Sequence, residues 1–587
     1  MNNAPKVSAC LLQVFSLKSI AHLTLVSFVV FDIASLRGAS LASAQEMKEP
    51  DWSENAPVPQ TGRRNPYQWT ESTLKKKVHA GQLHAVDYPV KTSEMLIPYE
   101  PMQKLLSGKH ENPLRRFLSQ LYRGFTRLQG MDDVYAWLGL HEFPPESEKG
   151  IYAIPYPGGK RPEYRMGTSF IETENGKGLT FSCATCHSSE LFGKKIFGLQ
   201  NRFAKPFHFF SMGEKAVPLI DPYAFQFATG ATDGERAMFE ETRTAVKSTQ
   251  TKVPQVVGMD ASLAQIGLSL ARRERDPYAT KSEAAARHPR PSWFRNNIAE
   301  SKPGVWWNVK YKNRWLLDGS MVSGHPIYTN ILWNEIGRGA DLEVLETWLN
   351  QNGPIIEEIT AAVFATEAPP YTDFFPASSV NLKSAKNGEI LFKNHCAHCH
   401  GTYEKAWNLA DASKLNSIEI LKTVEVRYHE NTPVLNVGTD PGRAEGMHHL
   451  APELNRLAIS QNLGVVVKPQ KGYVPPPLVG IWARWPYFHN NSAPSLCAVL
   501  TQSNLRPQFY YAGPAKNPST DFDAHCNGYP SADKVPAQWK KNRSTFYDTR
   551  REGMGNQGHD EGIFLMNGVE IFSNEEKNDI ITFLKTL

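Results

Sequence analysis

Cysteine is scarce in this sequence: seven residues in 587, too few for a disulfide-dense scaffold. Charge of one sign is not in excess either. The formal balance of +5 is slight for the length and excludes the basic footprint of a nucleic-acid binder. Long hydrophobic runs are missing as well. The most apolar stretch, LTLVSFVVF (23 to 31), is bracketed by His22 and Asp32. It falls short of the roughly 20 residues that cross a bilayer, so no transmembrane segment is expected. No low-complexity tract occurs, which excludes fibrous and largely disordered classes.

What is present is a globular composition, 41% hydrophobic and 21% charged, with 41 glycines and 41 prolines that predict much loop and turn. The length predicts two or three domains. Lys6, Lys18, the apolar stretch and Ala42-Ser43-Ala44 read as a signal peptide over 1–44, cleaved after Ala44. The protein is therefore expected to be periplasmic or secreted. Residues 45 to about 100 are polar and proline-rich without a sustained period, and are expected to wrap the surface. The stretch TEAPPYTDFFPASSV (366 to 380) reads as a linker, giving an N-terminal domain over 45–370 and a C-terminal domain over 371–587. Near the end, Ser573 and Glu576 form a capping-box pattern. Ile580, Phe583, Leu584 and Leu587 then follow at helical spacing on one face.

Four of the cysteines stand in two pentads, CATCH (183 to 187) and CAHCH (396 to 400). Cys-x-x-Cys-His is the attachment pattern of a c-type haem. Two thiols three residues apart add across the two vinyl groups, and the next histidine falls beneath the iron. Cys183, Cys186 and His187 are thus the candidates for one covalent haem, and Cys396, Cys399 and His400 for another. A zinc ribbon would need a second Cys-x-x-Cys nearby, and a redox dithiol would not need the histidine twice. Cys497 and Cys526 remain as a candidate disulfide or as two free thiols. For the sixth position on an iron the spacing leaves several candidates open: His559 in GNQGHDEG, His489, His448, His449, Met447 and Met554. The dense aromatic run GVWWNVKYKNRW (304 to 315) reads as core, as the wall of an apolar pocket, or as an aromatic bridge between irons. The helix-like ASLAQIGLSLARR (261 to 273) could roof that pocket or be core.

The pentads, the PGVWWNVKYKN segment, the block GYVPPPLVGIWARWPYFHNNSAPSL (472 to 496) and the ending GNQGHDEG…ITFLKTL together resemble exported bacterial di-haem c-type oxygenases. These comprise the rubber oxygenases and the di-haem fatty-acid dioxygenases. More distantly, the sequence resembles di-haem cytochrome c peroxidases. The resemblance implies an active haem at the first pentad, with His187 proximal and the opposite face open to dioxygen. It also implies a second, electron-transfer haem held by His400 and His559, and places Trp306 or Trp307 at the dioxygen pocket. One departure is visible. Asn491 stands where the family has a glycine after His-Asn, and asparagine tolerates the left-handed backbone such a turn needs.

The expected fold is mainly α: two cytochrome c-like haem modules with extensive loops and minor β hairpins. The first expectation for function is a dioxygenase that inserts O2 into an unsaturated apolar chain, a fatty acid or a polyisoprenoid. The second is a peroxidase that reduces H2O2 with electrons from a small donor protein. It would need a proton-moving side chain, for which Glu235, Glu240, Glu241 and Gln265 are available. Pure electron transfer ranks last.

Overall fold

The computed structural model describes residues 49–587. The signal peptide expected at 1–44 lies outside them. Helices dominate and the strands are short: one three-stranded antiparallel sheet (97–98, 176–181, 168–173) and five two-stranded pairs among the described residues. The mainly α class with minor hairpins is as the sequence predicts.

The C-terminal capping box is present. Ser573 Oγ accepts from the Glu576 N–H at 3.3 Å and the Glu576 carboxylate accepts from the Ser573 N–H at 2.8 Å, starting helix Asn574–Leu584. Ile580, Phe583 and Leu584 are buried. This helix crosses helix Leu382–His395, which leads into the second pentad. The crossing is close because Gly388 has no side chain: a Cβ there would lie 2.0 Å from the Asp579 carbonyl. Phe392 packs on Phe583, ring centroids 5.3 Å apart. The buried residues of the approach helix are therefore Ala385, Gly388, Glu389 and Phe392, while Ile390 points to solvent.

Residues 45 to 100 do more than wrap the surface. They contain helix Glu71–Val86, capped by Thr70, with Ala85 and Val86 fully buried. Its sequence has little apolar periodicity. It is held by close approach to helix Gly353–Ala365, where a Cβ on Gly81 would lie 1.8 Å from the Glu358 carbonyl. The Glu358 carboxylate then takes Lys77 at 3.0 Å and His84 at 3.1 Å.

Helix Ser262–Ala271 is buried along its length from Leu263 onward and forms a core with Phe294, Leu332, Ile336 and Leu450. That core contains no pentad residue and no tryptophan of the 306–315 run, so this helix reads as core. A separate, larger core joins Leu199, Val305 and Trp307 to Phe392, Trp482 and Trp485. The stretch 366–380 folds into it. Tyr371, Phe374 and Phe375 pack on Trp482 with centroids 5.4, 5.0 and 6.1 Å apart. The Trp482 indole N–H donates to the Pro369 carbonyl at 2.7 Å. Residues 49–587 cluster as one unit.

Cys497 and Cys526 form a disulfide across a sequence separation of 29. Closing a loop of that size in the unfolded chain stabilises the fold by about 3–4 kcal/mol in the chain-entropy account. The double variant Cys497→Ser/Cys526→Ser is expected to melt several degrees lower, with reductant lowering the wild type alone, as calorimetry would show.

Candidate functional site

The first pentad sits on a single helical turn, Ala184–His187, between strands Gly176–Phe181 and Ser188–Leu191. The hairpin that follows returns to it. Gly198 N–H donates to the His187 carbonyl at 2.8 Å, and Asn201 N–H to the Cys186 carbonyl at 2.9 Å. Gly198 also accepts from the Trp306 N–H at 3.0 Å, which brings the aromatic run over the pentad. The Trp306 ring lies 5.4 Å from His187 and 4.7 Å from Phe197. Burial pulls His187 down to about 4, opposed by Asp260, so the imidazole is neutral and able to coordinate. Its Nδ1 is buried beside the Gly304 backbone without a formed hydrogen bond.

Trp307 turns the other way. It is wholly buried, its N–H donates to the Val479 carbonyl at 2.9 Å, and its ring belongs to the large core. Of the two tryptophans assigned to the pocket by resemblance, only Trp306 borders His187.

The second pentad forms the turn Ala397–His400, followed by Gly401 at φ 78. His400 Nδ1–H donates to the Pro476 carbonyl at 2.8 Å, which fixes the tautomer and leaves Nε2 as the free nitrogen. Burial pulls His400 down to about 4. Cys396, Cys399 and His400 line a cavity of about 200 Å³ whose walls include Phe392, Leu478, Phe488 and Leu584. His559 and His489 line it too, and no methionine does. Met447 is fully buried in the helix-262 core, Met554 in the large one. His448 is exposed and His449 stacks on Trp293 at 4.8 Å.

His559 is held for this place. Its backbone is left-handed, φ 58, with its N–H on the Val437 carbonyl at 2.9 Å. Its ring stacks between Phe488 at 5.3 Å and Phe564 at 6.0 Å. Burial, reinforced by His400, pulls it down to about 3. A non-glycine residue in this region persists where the surroundings over-determine it, as functional sites do. The turn carrying Asn491 supports the loop: Asn491 adopts φ 64, as its side chain allows. The neighbouring Asn490 amide donates to the Gly553 and Gly555 carbonyls at 3.2 and 2.9 Å. His489 instead stacks on Tyr473 at 3.9 Å, with Nε2 buried and unpartnered.

Both pentads fit a c-type haem on two counts. His187 and His400 are deep enough for burial to pull both down to about 4, yet each keeps part of its surface uncovered, and His400 opens onto the 200 Å³ cavity. Burial also pushes Cys183 up to about 11 and Cys186 and Cys396 to about 12, the reverse of a reactive redox dithiol. Among the described residues no group of three His, Cys, Asp or Glu side chains converges as a metal site. Nor is any helix there long and apolar enough to cross a membrane.

Residues 472–511 match the RoxA-like, cytochrome c-like family. This stretch supplies Pro476 to His400, Val479 to Trp307 and Asn490 to the His559 loop. The match implies a c-type haem and supports a haem-c oxidoreductase. Two curated proteins of Sinorhizobium fredii (strain NBRC 101917 / NGR234) are also similar. Uncharacterized protein y4iJ is 27% identical over 255 residues, 36% of this chain and 39% of that protein. Uncharacterized protein y4iM is 27% identical over 194 residues, 32% of this chain and 43% of that protein. The chain thus spans less than half the length of these curated relatives.

Two charged residues near the first pentad had no signature in the sequence. Arg338 donates to the Phe181 carbonyl at 2.9 Å, pairs with Glu335 at 3.1 Å and lies over the Tyr88 ring at 4.3 Å. Glu300 is buried close to Asp260, accepts from the Gln255 N–H and is pushed up by burial to about 7. A carboxyl raised from 4.5 to about 7 contributes stability that is present below pH 4.5 and lost as pH rises through 7. Glu300→Gln is therefore expected to gain about 3 kcal/mol on the wild type between pH 4.5 and pH 8. Urea titrations at the two pH values would show it, and parallel stabilities would refute it.

Proposed function

We propose that the protein is an exported di-haem c-type dioxygenase. It carries covalent haems at Cys183/Cys186 and Cys396/Cys399 and inserts O2 into an unsaturated apolar chain at the N-terminal one. The observation that supports this is the asymmetry of the two pentads. His400 shares its cavity with His559, so a haem held by His400 would have a second histidine available beside it. Around His187 stand Trp306, Phe197 and an apolar cluster that includes Phe143, Met166 and Val363. His325, packed on Trp52 and Tyr328 near that cluster, is engaged through both ring nitrogens. A haem with one axial face free of protein ligands supplies dioxygen or peroxide activation, and one with two histidines supplies electron transfer. In this reading His187 holds the iron, Trp306 and Phe197 exclude water, and the apolar wall takes a substrate with no hydrogen-bonding group. The disulfide supports export, since such bonds persist in oxidising compartments, and agrees with the signal peptide read at 1–44.

The peroxidase reading needs a free acid–base group, and its four candidates are occupied. Glu235 closes a capping box with Thr232. Glu240 pairs with Arg243 at 3.4 Å, Glu241 accepts from Asn175 at 3.3 Å, and Gln265 donates to the Gly337 carbonyl at 2.8 Å. The deciding experiment is oxygen uptake by the holo-protein given oleate, linoleate or polyisoprene, without reductant and with catalase. Both atoms of labelled dioxygen are expected in the organic product. Peroxide consumption coupled to a reduced small donor protein, without uptake, would replace this reading with the peroxidase.

A further inference from the structure

Between the pentads lies a small cavity of about 40 Å³, lined by Arg202, Lys302, Lys312 and Arg484 with no carboxylate in its wall. Gln200 and Gly304 form one side, next to Asn201, which holds Cys186, and beside His187. Pro476, the acceptor for His400, forms another. Lys302 and Arg484 also line the larger cavity around Cys396 and His400.

The cations meet only neutral partners here. Arg202 lies over Trp485 at 4.3 Å and donates to its carbonyl at 3.3 Å. Lys302 donates to the Pro486 carbonyl at 2.8 Å, and Arg484 to that of Pro477 at 3.0 Å. Arg484 Nε and Gln200 Nε2, on residues at least nine-tenths buried, have no hydrogen-bond partner. Burial and mutual repulsion pull Lys302 well below its usual value and Lys312 down to about 8. Arg484, pulled down only to about 10, keeps its charge at neutral pH, and an anion beside the lysines would favour their charged forms.

We propose that Arg202, Lys302, Lys312 and Arg484 form a carboxylate receptor, taking the propionates of the haems seated against His187 and His400. The inference rests on the di-haem reading. Thioether attachment ties the vinyl edge of each porphyrin to its cysteines and directs the carboxylate edge elsewhere. This cluster lies between the two attachment points and reaches both. The cations also set the redox poise, since positive charge beside a haem favours the reduced iron.

The test uses full-length holo-protein: wild type, Arg484→Gln, Arg484→Lys and Lys312→Gln. Pyridine haemochrome spectra count covalent haem and visible-absorbance titrations give midpoint potentials. Two haems per chain are expected in each. Midpoints should be lower in Arg484→Gln and Lys312→Gln and return toward wild type in Arg484→Lys. Unchanged midpoints in folded, haem-loaded glutamine variants would overturn the receptor alone. A wild type without covalent haem would overturn the di-haem reading, and the named occupant with it. Lys312→Gln carries the test if Arg484→Gln does not fold.

Discussion

Trp307→Ala is expected to destabilise the protein by about 4 kcal/mol, because a wholly buried indole is deleted from a packed core. A second loss adds to the cavity. The Val479 carbonyl, now served by the indole N–H at 2.9 Å, is left in the interior without a donor, at about 1–3 kcal/mol. The segment matters beyond its own packing. Asn308 donates to the Pro477 carbonyl at 2.9 Å, so 307 and 308 together pin the 477–479 segment whose neighbour Pro476 orients His400. Trp307→Phe keeps most of the volume and is expected to cost about half as much. Trp306→Phe is the contrast. It preserves an aromatic ring against Phe197 and is expected to leave the melting temperature nearly unchanged while altering the absorbance of the N-terminal haem. Thermal denaturation of the three variants checks this; equal losses at 306 and 307 would contradict the division of roles.

His559→Ala is expected to double the carbon monoxide bound by the reduced protein, from one to two equivalents per chain. In the proposed arrangement the N-terminal haem alone has a free axial face. Removing His559 opens the second, with a change from low-spin to high-spin absorbance at that haem. The expectation comes from the way the residue is held: a left-handed backbone, two flanking rings and a loop tied down by Asn490. His489→Ala is the discriminating control, because His489 borders the same cavity with an unpartnered Nε2. A stoichiometry that rises in His489→Ala and not in His559→Ala would assign the axial position to His489.

The difference between these two histidines shows where sequence reading stops. The pentads stand out in the sequence because the attachment pattern of a c-type haem is local, three side chains within five residues. The terminal capping box and the tolerance of Asn491 for positive φ are legible for the same reason, each depending on backbone within a turn. The disulfide was a matter of counting, though whether Cys497 meets Cys526 was left open. Helix Glu71–Val86 was not legible, since its sequence has little periodicity and it is held by Gly81 against a backbone 277 residues later. Tertiary contact likewise put Trp306 on His187 and Trp307 in the core, because adjacent residues on a tight turn point apart and only the partners decide which is which. The cation cluster is of the same kind. Arg202, Lys302, Lys312 and Arg484 come from three distant stretches, and nothing in any one of them signals a receptor. By itself the sequence determined the class of fold and pointed to c-type haem chemistry, because both are written in local patterns; the tertiary structure decided which side chains stand around each pentad and where the charge collects, because those come from distant stretches.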